Sequence, residues 1–345
     1  MATTSASRVV VADDSRLMRR VLCVTLTDAG FDVVGQAANG DEALELCERL
    51  RPDAMTLDLH MPGKDGIAVL RALRGDKTAT PVVVVSAFSP AHGARAVDAL
   101  AEGAFDLVAK PAIGDPINTF AGQLADKVRA AARSAVHKLP FVAAPPRIAR
   151  PARRSPSGVR RTVVIACSTG GPRALAAVVP ALPSPLGAGT LIVQHMPPGF
   201  TGSLAARLDR EARLNVVEAK GGEAMRPGTA LLAPGGSHLR LDDHRVVRLS
   251  DAPPIGALRP RADLTIADAA KLFGSELLLV VLTGMGKDGL EGARAVRARG
   301  GRILVEAEST CTVYGMPRAV AEAGLADAVL PIDELAGAIA EEAGA

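Results

Sequence analysis

Residues 163–172 read VVIACSTGGP, an apolar run that ends at a hydroxyl pair, two glycines and a proline. Apolar β-branched runs are typical of buried strands, and proline suits the first turn of a helix. Ser168 is therefore expected at the carboxyl end of a strand and beside a helix amino terminus. In open α/β sheets ligands bind at this position, where helix N–H groups favour an oxyanion. The same stretch also fits a tight strand-to-helix turn that uses serine and glycine for backbone reasons alone.

The composition predicts aliphatic cores and limits the partners of the chain. A length of 345 residues favours about two domains, and a hydrophobic fraction of 48% lets each bury a core. Aromatic residues make up only 2%, with no tryptophan, so stacking on nucleic-acid bases is not expected as a main activity. Because a net charge of +3 is also too small for a nucleic-acid footprint, we expect no nucleic-acid partner.

Cysteine spacing and the amino terminus indicate the compartment. The four cysteines show no C-x-x-C pairing, which argues against a zinc site or a disulfide framework. Residues 1–7 lack the apolar core of a signal peptide, and no apolar run approaches the length of a membrane span. The sequence therefore predicts a soluble cytoplasmic protein without membrane insertion.

Strand and helix patterns alternate along two stretches of the chain. In the first stretch the predicted strands are residues 8–12, 32–36, 53–57, 82–86 and 105–109. In the second they are residues 162–166, 190–194, 216–219, 228–233, 277–282, 302–305 and 328–330, with a hairpin formed by 239–241 and 245–249. Such alternation is typical of parallel sheets covered on both faces. The predicted fold class is α/β, with two doubly wound parallel-sheet domains.

The segment between the two stretches has a different composition. Residues 136–160 are rich in proline and arginine and contain no acidic residue. This composition predicts a semi-extended linker, which acts either as a plain spacer or as a basic partner-binding segment. The predicted organisation is a domain over residues 1–130, a linker over 131–160 and a second domain over 161–345.

Charged side chains stand at the strand ends of the first predicted domain. Asp13 and Asp14 follow the first strand, Asp58 follows the third, Ser86 ends the fourth, and Lys110 follows the fifth. Parallel strands bring these ends to one edge, where clustered carboxylates need a cation and hard oxygen ligands suit Mg²⁺. A carboxylate held there can attack a phosphoryl group, whose oxygens Lys110 and Ser86 can bind. Helix capping explains Asp13 or Asp14 singly, but not the whole set.

Residues 8–130 resemble a response-regulator receiver domain, which has a flavodoxin-like fold. The resemblance rests on VADDS at 11–15, DLHMPGKDG at 58–66, VSA at 85–87 and AKP at 109–111. It implies that Asp58 is the phosphoacceptor and that Ser86 and Lys110 are the switch pair. It also implies a magnesium site formed by Asp13, Asp14 and Asp58.

Three polar loops follow strands of the second predicted domain and carry the side chains of an acyl-transfer site. They contain Ser168, His195 and Asp288. Serine is a weak nucleophile until a base takes its proton, which His195 can do near neutral pH, while Asp288 orients the imidazole. N–H groups of the loop 284–286, or of the helix after Gly171, can receive the oxyanion. Taken singly, His195 also fits a strand-end hydrogen-bonding residue and Asp288 a helix cap.

A nicotinamide-dependent dehydrogenase is the competing class. Residues 284–289 read GMGKDG, which fits G-x-G-x-x-G between a strand and a helix, and Glu306 ends the next strand. However, this unit comes late in its domain and leaves Ser168 and His195 without a role. An α/β-hydrolase is not supported, because residues 166–170 lack the first glycine of its nucleophile elbow and the triad order differs.

Residues 161–342 resemble the catalytic domain of the CheB family of chemotaxis protein-glutamate methylesterases. The matching motifs are STGG at 168–171, QHMPPGF at 194–200, APGGSH at 233–238, LTGMGKDG at 282–289 and VYGMP at 313–317. The resemblance implies Ser168 as nucleophile, His195 as base, Asp288 as orienting acid and the Met285 N–H as an oxyanion donor. The implied substrates are methylated glutamates and specific glutamines on receptor helices, and no cofactor is expected at the esterase site.

Together the two resemblances imply a hydrolase controlled by phosphorylation. The implied partners are methyl-accepting chemotaxis receptor helices and a CheA-type histidine kinase that supplies the phosphoryl group. The receiver is expected to cover the esterase edge until Asp58 is phosphorylated, which is a population shift between two domain arrangements.

Several positions depart from the family patterns. Leu107 stands where receivers often carry a switching aromatic residue, and Cys167 replaces the usual alanine before the serine and offers an alternative nucleophile. Residues 258–263 read LRPRAD where HRPSVD is more common, and EA at 306–307 replaces a common QD. These altered loops leave open a binding-only adaptor with a vestigial esterase site.

Overall fold

The computed structural model describes residues 6–74, 80–87, 90–111, 117–134 and 160–344. The chain divides into two compact units, Met1–Lys138 and Leu139–Ala345. Most of the predicted linker, residues 135–159, lies outside the described residues. Among the helices that are described, none is both long enough and apolar enough to span a bilayer.

The first unit contains a five-stranded parallel sheet in the order β2-β1-β3-β4-β5. Its strands are β1 (Arg8–Ala12), β2 (Asp32–Ala37), β3 (Ala54–Leu57), β4 (Val82–Ser86) and β5 (Asp106–Ala109). Its helices are α1 (Arg16–Asp28), α2 (Gly40–Leu50), α3 (Gly66–Arg74), α4 (Pro90–Ala101) and α5 (Ile117–Arg133). Strands β3 and β4 are buried along their whole length, as expected for central strands covered on both faces.

Capping residues fix the helix starts of this unit. The Ser15 hydroxyl accepts the Met18 N–H at 3.3 Å at the start of α1. At the start of α2, Asn39 Oδ1 accepts the Glu42 N–H at 2.9 Å, and the Glu42 carboxylate accepts the Ala38 N–H at 2.7 Å. This pair is a variant of the capping box, in which the Glu42 carboxylate accepts the N–H of the residue before the N-cap instead of that of the N-cap itself. The caps place α1 and α2 immediately after the carboxyl ends of β1 and β2.

The second unit contains a seven-stranded parallel sheet in the order β14-β13-β12-β6-β7-β9-β8 and a two-stranded hairpin. The sheet strands are β6 (Thr162–Cys167), β7 (Gly189–Gln194), β8 (Asn215–Glu218), β9 (Thr229–Leu232), β12 (Leu277–Val281), β13 (Arg302–Glu306) and β14 (Ala328–Leu330), and the hairpin is β10 (His238–Leu241) with β11 (Val247–Ser250). The helices are α6 (Gly171–Val178), α7 (Thr201–Glu211), α8 (Ala262–Phe273), α9 (Leu290–Ala298), α10 (Met316–Glu322) and α11 (Ile332–Ala343).

Strand β6 occupies the centre of this sheet. It pairs with β7 on one side and with β12, which comes much later in the chain, on the other. Helices α8, α9 and α10 and the hairpin share one hydrophobic core against the sheet, and α6, α7 and α11 cover its other face. Because the strand order reverses beside β6, its carboxyl end is the topological switch point, where α/β sheets bind ligands.

The structure confirms the predicted fold class of two doubly wound parallel sheets, and each predicted strand is present. The second hairpin strand begins at Val247 instead of residue 245. Arg245 adopts a left-handed φ of 63°, and the Asp242 carboxylate accepts N–H groups from His244 and Val246. Because an Asp side chain that bonds the following backbone forms a turn, residues 242–246 leave the hairpin ladder.

Candidate active site

Ser168 lies directly after β6, between the loops that follow β7 and β12. Its N–H donates to the Thr283 carbonyl at 3.0 Å, and its carbonyl accepts the Gly171 N–H at 2.8 Å. A Cβ added to Gly284 would lie 2.8 Å from Ser168 Cβ, so only glycine allows the loop after β12 to approach the serine this closely. Ser168 is half-buried at the start of α6, as its sequence position predicted.

Gln194 joins the serine loop to the histidine loop. This residue ends β7 and is 2% exposed. Its Nε2 donates to the Ser168 carbonyl at 2.9 Å and to the His195 carbonyl at 3.0 Å. The His195 N–H donates in turn to the Cys167 carbonyl at 3.0 Å. The backbone positions of Ser168 and His195 are therefore fixed to each other by one buried amide.

His195 and Asp288 form a buried pair. His195 Nε2 lies 2.7 Å from Asp288 Oδ2, and the exposed fractions of the two side chains are 6% and 2%. The other ring nitrogen, Nδ1, is buried and has no hydrogen-bond partner among the described residues. With Nε2–H donating to the carboxylate, Nδ1 is left as the basic nitrogen of the neutral ring.

The Asp288 carboxylate also accepts the first N–H groups of α8. Oδ2 accepts the Ala262 N–H at 2.7 Å, and Oδ1 accepts the Asp263 N–H at 3.0 Å. Burial by itself would raise the pKa of Asp288, but the hydrogen bond and charge of His195 and the donors at Asp263 lower it overall. Asp288 is therefore an ionised acid that serves as both helix cap and histidine partner.

Asp263, at the start of α8, in turn accepts N–H groups at the start of α9. Its Oδ1 accepts the Gly289 N–H at 2.9 Å and the Gly292 N–H at 2.8 Å, at the start of α9. Burial raises the pKa of Asp263, and the neighbouring Asp288 carboxylate adds to the rise. Each acid thus caps the helix that begins beside the other, and the two helix starts are locked together at the site.

The loop after β12 is anchored at Thr283 and Gly284, immediately before Met285. The Thr283 N–H donates to the buried Glu306 carboxylate at 2.8 Å, and the Thr283 hydroxyl donates to the Thr169 carbonyl at 2.9 Å. The Gly284 carbonyl accepts the Met316 N–H at 2.8 Å. Met285 follows immediately and is half-buried. This rigid turn beside Ser168 is where the predicted oxyanion donor lies.

The same contacts show that the dehydrogenase interpretation is wrong. A dinucleotide needs a free helix amino terminus for its pyrophosphate and an accessible acid for its ribose. The amino terminus of α9 is occupied by the Asp263 carboxylate. Glu306 is 1% exposed and bonds Thr283, and burial raises its pKa.

Cys167 is fully buried, and its environment disfavours the reactive thiolate. Its Sγ lies 3.0 Å from Gln194 Oε1. Burial, with a contribution from Glu306, raises the pKa of the thiol far above its ordinary value. Because the thiolate is the nucleophilic form, Cys167 behaves as a small buried hydrophobe.

The five receiver residues predicted to form a site lie at the carboxyl edge of the first sheet. Lys110 Nζ lies 2.7 Å from both Asp13 Oδ2 and Asp58 Oδ2. Burial would lower the pKa of Lys110, but its bonds to the two acids raise it overall. Ser86 is buried at the end of β4, and its hydroxyl has no hydrogen-bond partner among the described residues.

The acidic cluster fits a divalent cation. Asp13, Asp14 and Asp58 each offer a carboxylate oxygen within 4.8 Å of the others. Burial raises the pKa of Asp13, and Lys110 offsets this only in part. Three carboxylates against one ammonium leave excess negative charge, which a hard cation such as Mg²⁺ would compensate.

The departures from the family patterns have structural outcomes. Leu107 is 1% exposed within β5, so an aliphatic side chain occupies the position of the switching aromatic residue. In the altered segment, Arg261 contacts both site acids: Nη2 lies 2.9 Å from Asp263 Oδ2 and Nε lies 3.4 Å from Asp288 Oδ1.

Sequence reasoning missed the roles of Gln194, Arg261 and Asp263. The contacts of Gln194 follow from strand register, since Cys167 pairs with Gln194 across β6 and β7. The contacts of Arg261 and Asp263 depend on how α8 and α9 meet, which local patterns do not encode. The only available signal was the departure at residues 258–263 itself.

Comparisons with known proteins identify the family of each unit. The CheB methylesterase family model matches residues 163–339, and the response regulator receiver model matches residues 9–119. A protein-glutamate methylesterase/protein-glutamine glutaminase of Symbiobacterium thermophilum is 42% identical, with 98% of this chain and 97% of the relative covered. A Myxococcus xanthus relative of the same designation is 44% identical, with 96% and 97% covered.

A solved structure supports the same assignment for the second unit. The crystal structure of the Thermotoga maritima CheB methylesterase catalytic domain superposes with a TM-score of 0.51 at 45% identity. The match covers 53% of this chain and 98% of that domain. With its receiver and esterase units in this order, the chain belongs to the CheB methylesterase family.

Proposed function

We propose that this chain removes methyl groups from esterified glutamate side chains of chemotaxis receptors and deamidates specific glutamines, under control of its receiver. The observation that carries the proposal is that Gln194 joins the backbone of Ser168 to that of His195, whose ring pairs with Asp288, at the carboxyl edge of the central strands. The substrate class follows the designation of the relatives, protein-glutamate methylesterase/protein-glutamine glutaminase. The reaction then takes place in the cytoplasm, on the receptor helices.

In this proposal His195 is the general base and Asp288 orients it. The hydrogen bond from Nε2 to Asp288 holds the tautomer in which Nδ1 carries a lone pair. Asp288 remains ionised because its pKa is lowered, so it stabilises the imidazolium that forms when Nδ1 takes the Ser168 proton.

The reaction proceeds through an acyl-enzyme. Ser168 Oγ attacks the γ-carbonyl carbon of the ester while His195 takes the hydroxyl proton. The carbonyl oxygen becomes an oxyanion, which the Met285 N–H stabilises. The tetrahedral adduct expels methanol, which receives the proton from His195. Water, deprotonated by His195, then releases the glutamate carboxylate and restores the serine. A glutamine substrate loses ammonia in the same way.

Control by the receiver rests on the acidic cluster. Asp58 accepts a phosphoryl group from a CheA-type histidine kinase, and Lys110 and Ser86 then bind its oxygens. Asp13, Asp14 and Asp58 are the residues that would hold Mg²⁺, which supplies charge neutralisation for phosphoryl transfer. Phosphorylation relieves the inhibition that the receiver exerts on the esterase unit.

Methanol release from methylated receptor tests the proposal. The phosphorylated wild type should release methanol, and Ser168→Ala should abolish the release because the nucleophile is lost. Cys167→Ala is the matched control at the neighbouring position, and it should retain activity because the thiol is buried and protonated.

Two outcomes would decide against the proposal. No methanol release by the phosphorylated wild type would favour the binding-only adaptor. Activity that survives Ser168→Ala but is lost in Cys167→Ala would transfer the nucleophile to the thiol.

A further inference from the structure

Arg261 is a charged residue at the triad that the proposed mechanism does not use. It immediately precedes α8, and its side chain is 20% exposed. Nη2 lies 2.9 Å from Asp263 Oδ2, while Nε lies 3.4 Å from Asp288 Oδ1. One guanidinium therefore bridges the two acids that lock α8 to α9. A planar cation with several donors is suited to this bridging.

Through this bridge, the positive charge of Arg261 lies beside the Asp288 carboxylate, which is hydrogen-bonded to His195. Asp288 stabilises a protonated imidazole through its negative charge. A cation on the other oxygen of that carboxylate opposes this effect, because part of the negative charge is already compensated. The low exposure of Asp288 means that water screens the interaction only weakly.

We propose that Arg261 is a positioning residue for the triad. By pairing with Asp288, Arg261 weakens the electrostatic attraction between Asp288 and a protonated His195. The inference rests on the proposed function, in which His195 acts as a base and must be neutral before each cycle. Arg261 then keeps a larger fraction of His195 in its basic form near neutral pH.

Charged and titratable groups border this bridge from α8, from the loop after β12 and from β10. Asp263 faces it from α8, and Lys287 beside Asp288 is exposed to solvent. From β10, the buried His238 accepts the Arg261 backbone N–H at 3.2 Å through Nδ1. That contact involves the main chain, so it persists when the side chain at position 261 changes.

The test is the pH dependence of kcat/KM for methanol release by the full chain. In Arg261→Gln the acid limb should move to higher pH by about 0.5–1 unit, because Asp288 then holds the His195 proton more strongly. Arg259→Gln is the matched control, because the Arg259 guanidinium donates to the Asp251 and Ala252 carbonyl groups, which lie outside the His195–Asp288 pair. The acid limb of the kcat/KM profile of Arg259→Gln should coincide with that of the wild type.

A merely structural role predicts a different result. It would lower the plateau of kcat/KM in Arg261→Gln and leave the acid limb unmoved, which would overturn the inference. Asp263→Asn provides a second variant if Arg261→Gln fails to fold. The amide oxygen can still cap α9, but Asp288 is then the one carboxylate that Arg261 contacts among the described residues, beside the Ile255 carbonyl, so the limb should move to lower pH. A limb that stays or rises in Asp263→Asn would equally contradict the inference.

An NMR titration of the His195 ring, assigned with His195→Gln, separates this inference from the proposed function. It needs no substrate. If the wild type releases no methanol, the proposed function fails, and the His195 titration in Arg261→Gln still decides whether Arg261 acts on the pair. An upward shift supports the inference, and an unchanged midpoint contradicts it.

Discussion

Replacing Gln194 with methionine should loosen the catalytic unit and its site together. Methionine fills a similar volume but removes the Nε2 donor that binds the Ser168 and His195 carbonyls. The Ser168 carbonyl keeps the Gly171 N–H, so its loss is about 1 kcal/mol. The His195 carbonyl is left without that buried donor, which costs about 1–3 kcal/mol. We expect a total destabilisation of about 2–4 kcal/mol.

Urea unfolding followed by tyrosine fluorescence measures this loss in the catalytic unit. The chain has one tyrosine and no tryptophan, and Tyr314 lies in the loop that pairs with Gly284. With a slope of about 2 kcal/mol per molar urea, the midpoint should fall by about 1–2 M. Activity should fall by about 10–100-fold, because Ser168 and His195 lose their common support.

Gln123→Met in the receiver is the matched control for this prediction. Gln123 lies on α5 of the first unit, so its replacement should leave the Tyr314 transition unchanged. If Gln194→Met unfolds at the wild-type urea concentration and keeps full kcat/KM, the amide does not support the site as the contacts indicate.

Two further predictions concern the oxyanion loop and the receiver. Gly284→Ala should lower kcat by about 100-fold, because the added Cβ would lie 2.4 Å from Met316 Sδ and 2.8 Å from Ser168 Cβ. Gly337→Ala, where a Cβ meets nothing within 4 Å, is its control, and equal kcat in both variants would contradict the reasoning. Asp58→Asn should abolish the increase in methanol release caused by a small phosphodonor, whereas Asp41→Asn at an exposed ion pair should not. Equal wild-type rates with and without the donor would refute the predicted control.

The strands and the loops after them could be predicted because they depend on local patterns. A short apolar run rich in β-branched residues, such as 163–167, is typical of a buried strand, and parallel pairing brings the following residues to one edge. The positions of Ser168, His195 and Asp288 at that edge follow from this rule. The insertion of β9 between β7 and β8 does not follow, because strand order depends on long-range packing.

The helix contacts at the site could not be predicted for the same reason. The sequence suggested that Asp288 is either a helix cap or the partner of a histidine. It is both, because its carboxylate accepts the first N–H groups of α8, which comes earlier in the chain, as well as the N–H of the next residue, Gly289. Recognising this requires the packing of α8 on α9, which determines the partners of Asp263 and Arg261 as well.

The central position of β6 has a consequence for how the enzyme is made. Ser168, the proposed nucleophile, directly follows the first strand of its unit to be synthesised, yet one neighbour of that strand, β12, and Asp288, the proposed partner of the base, are synthesised far later. A nascent chain that ends before β12 has the serine but neither the triad nor the Gly284 turn beside it. In the proposed mechanism, hydrolysis therefore requires that both β7 and β12 have paired with β6. Truncated translation products should have no esterase activity.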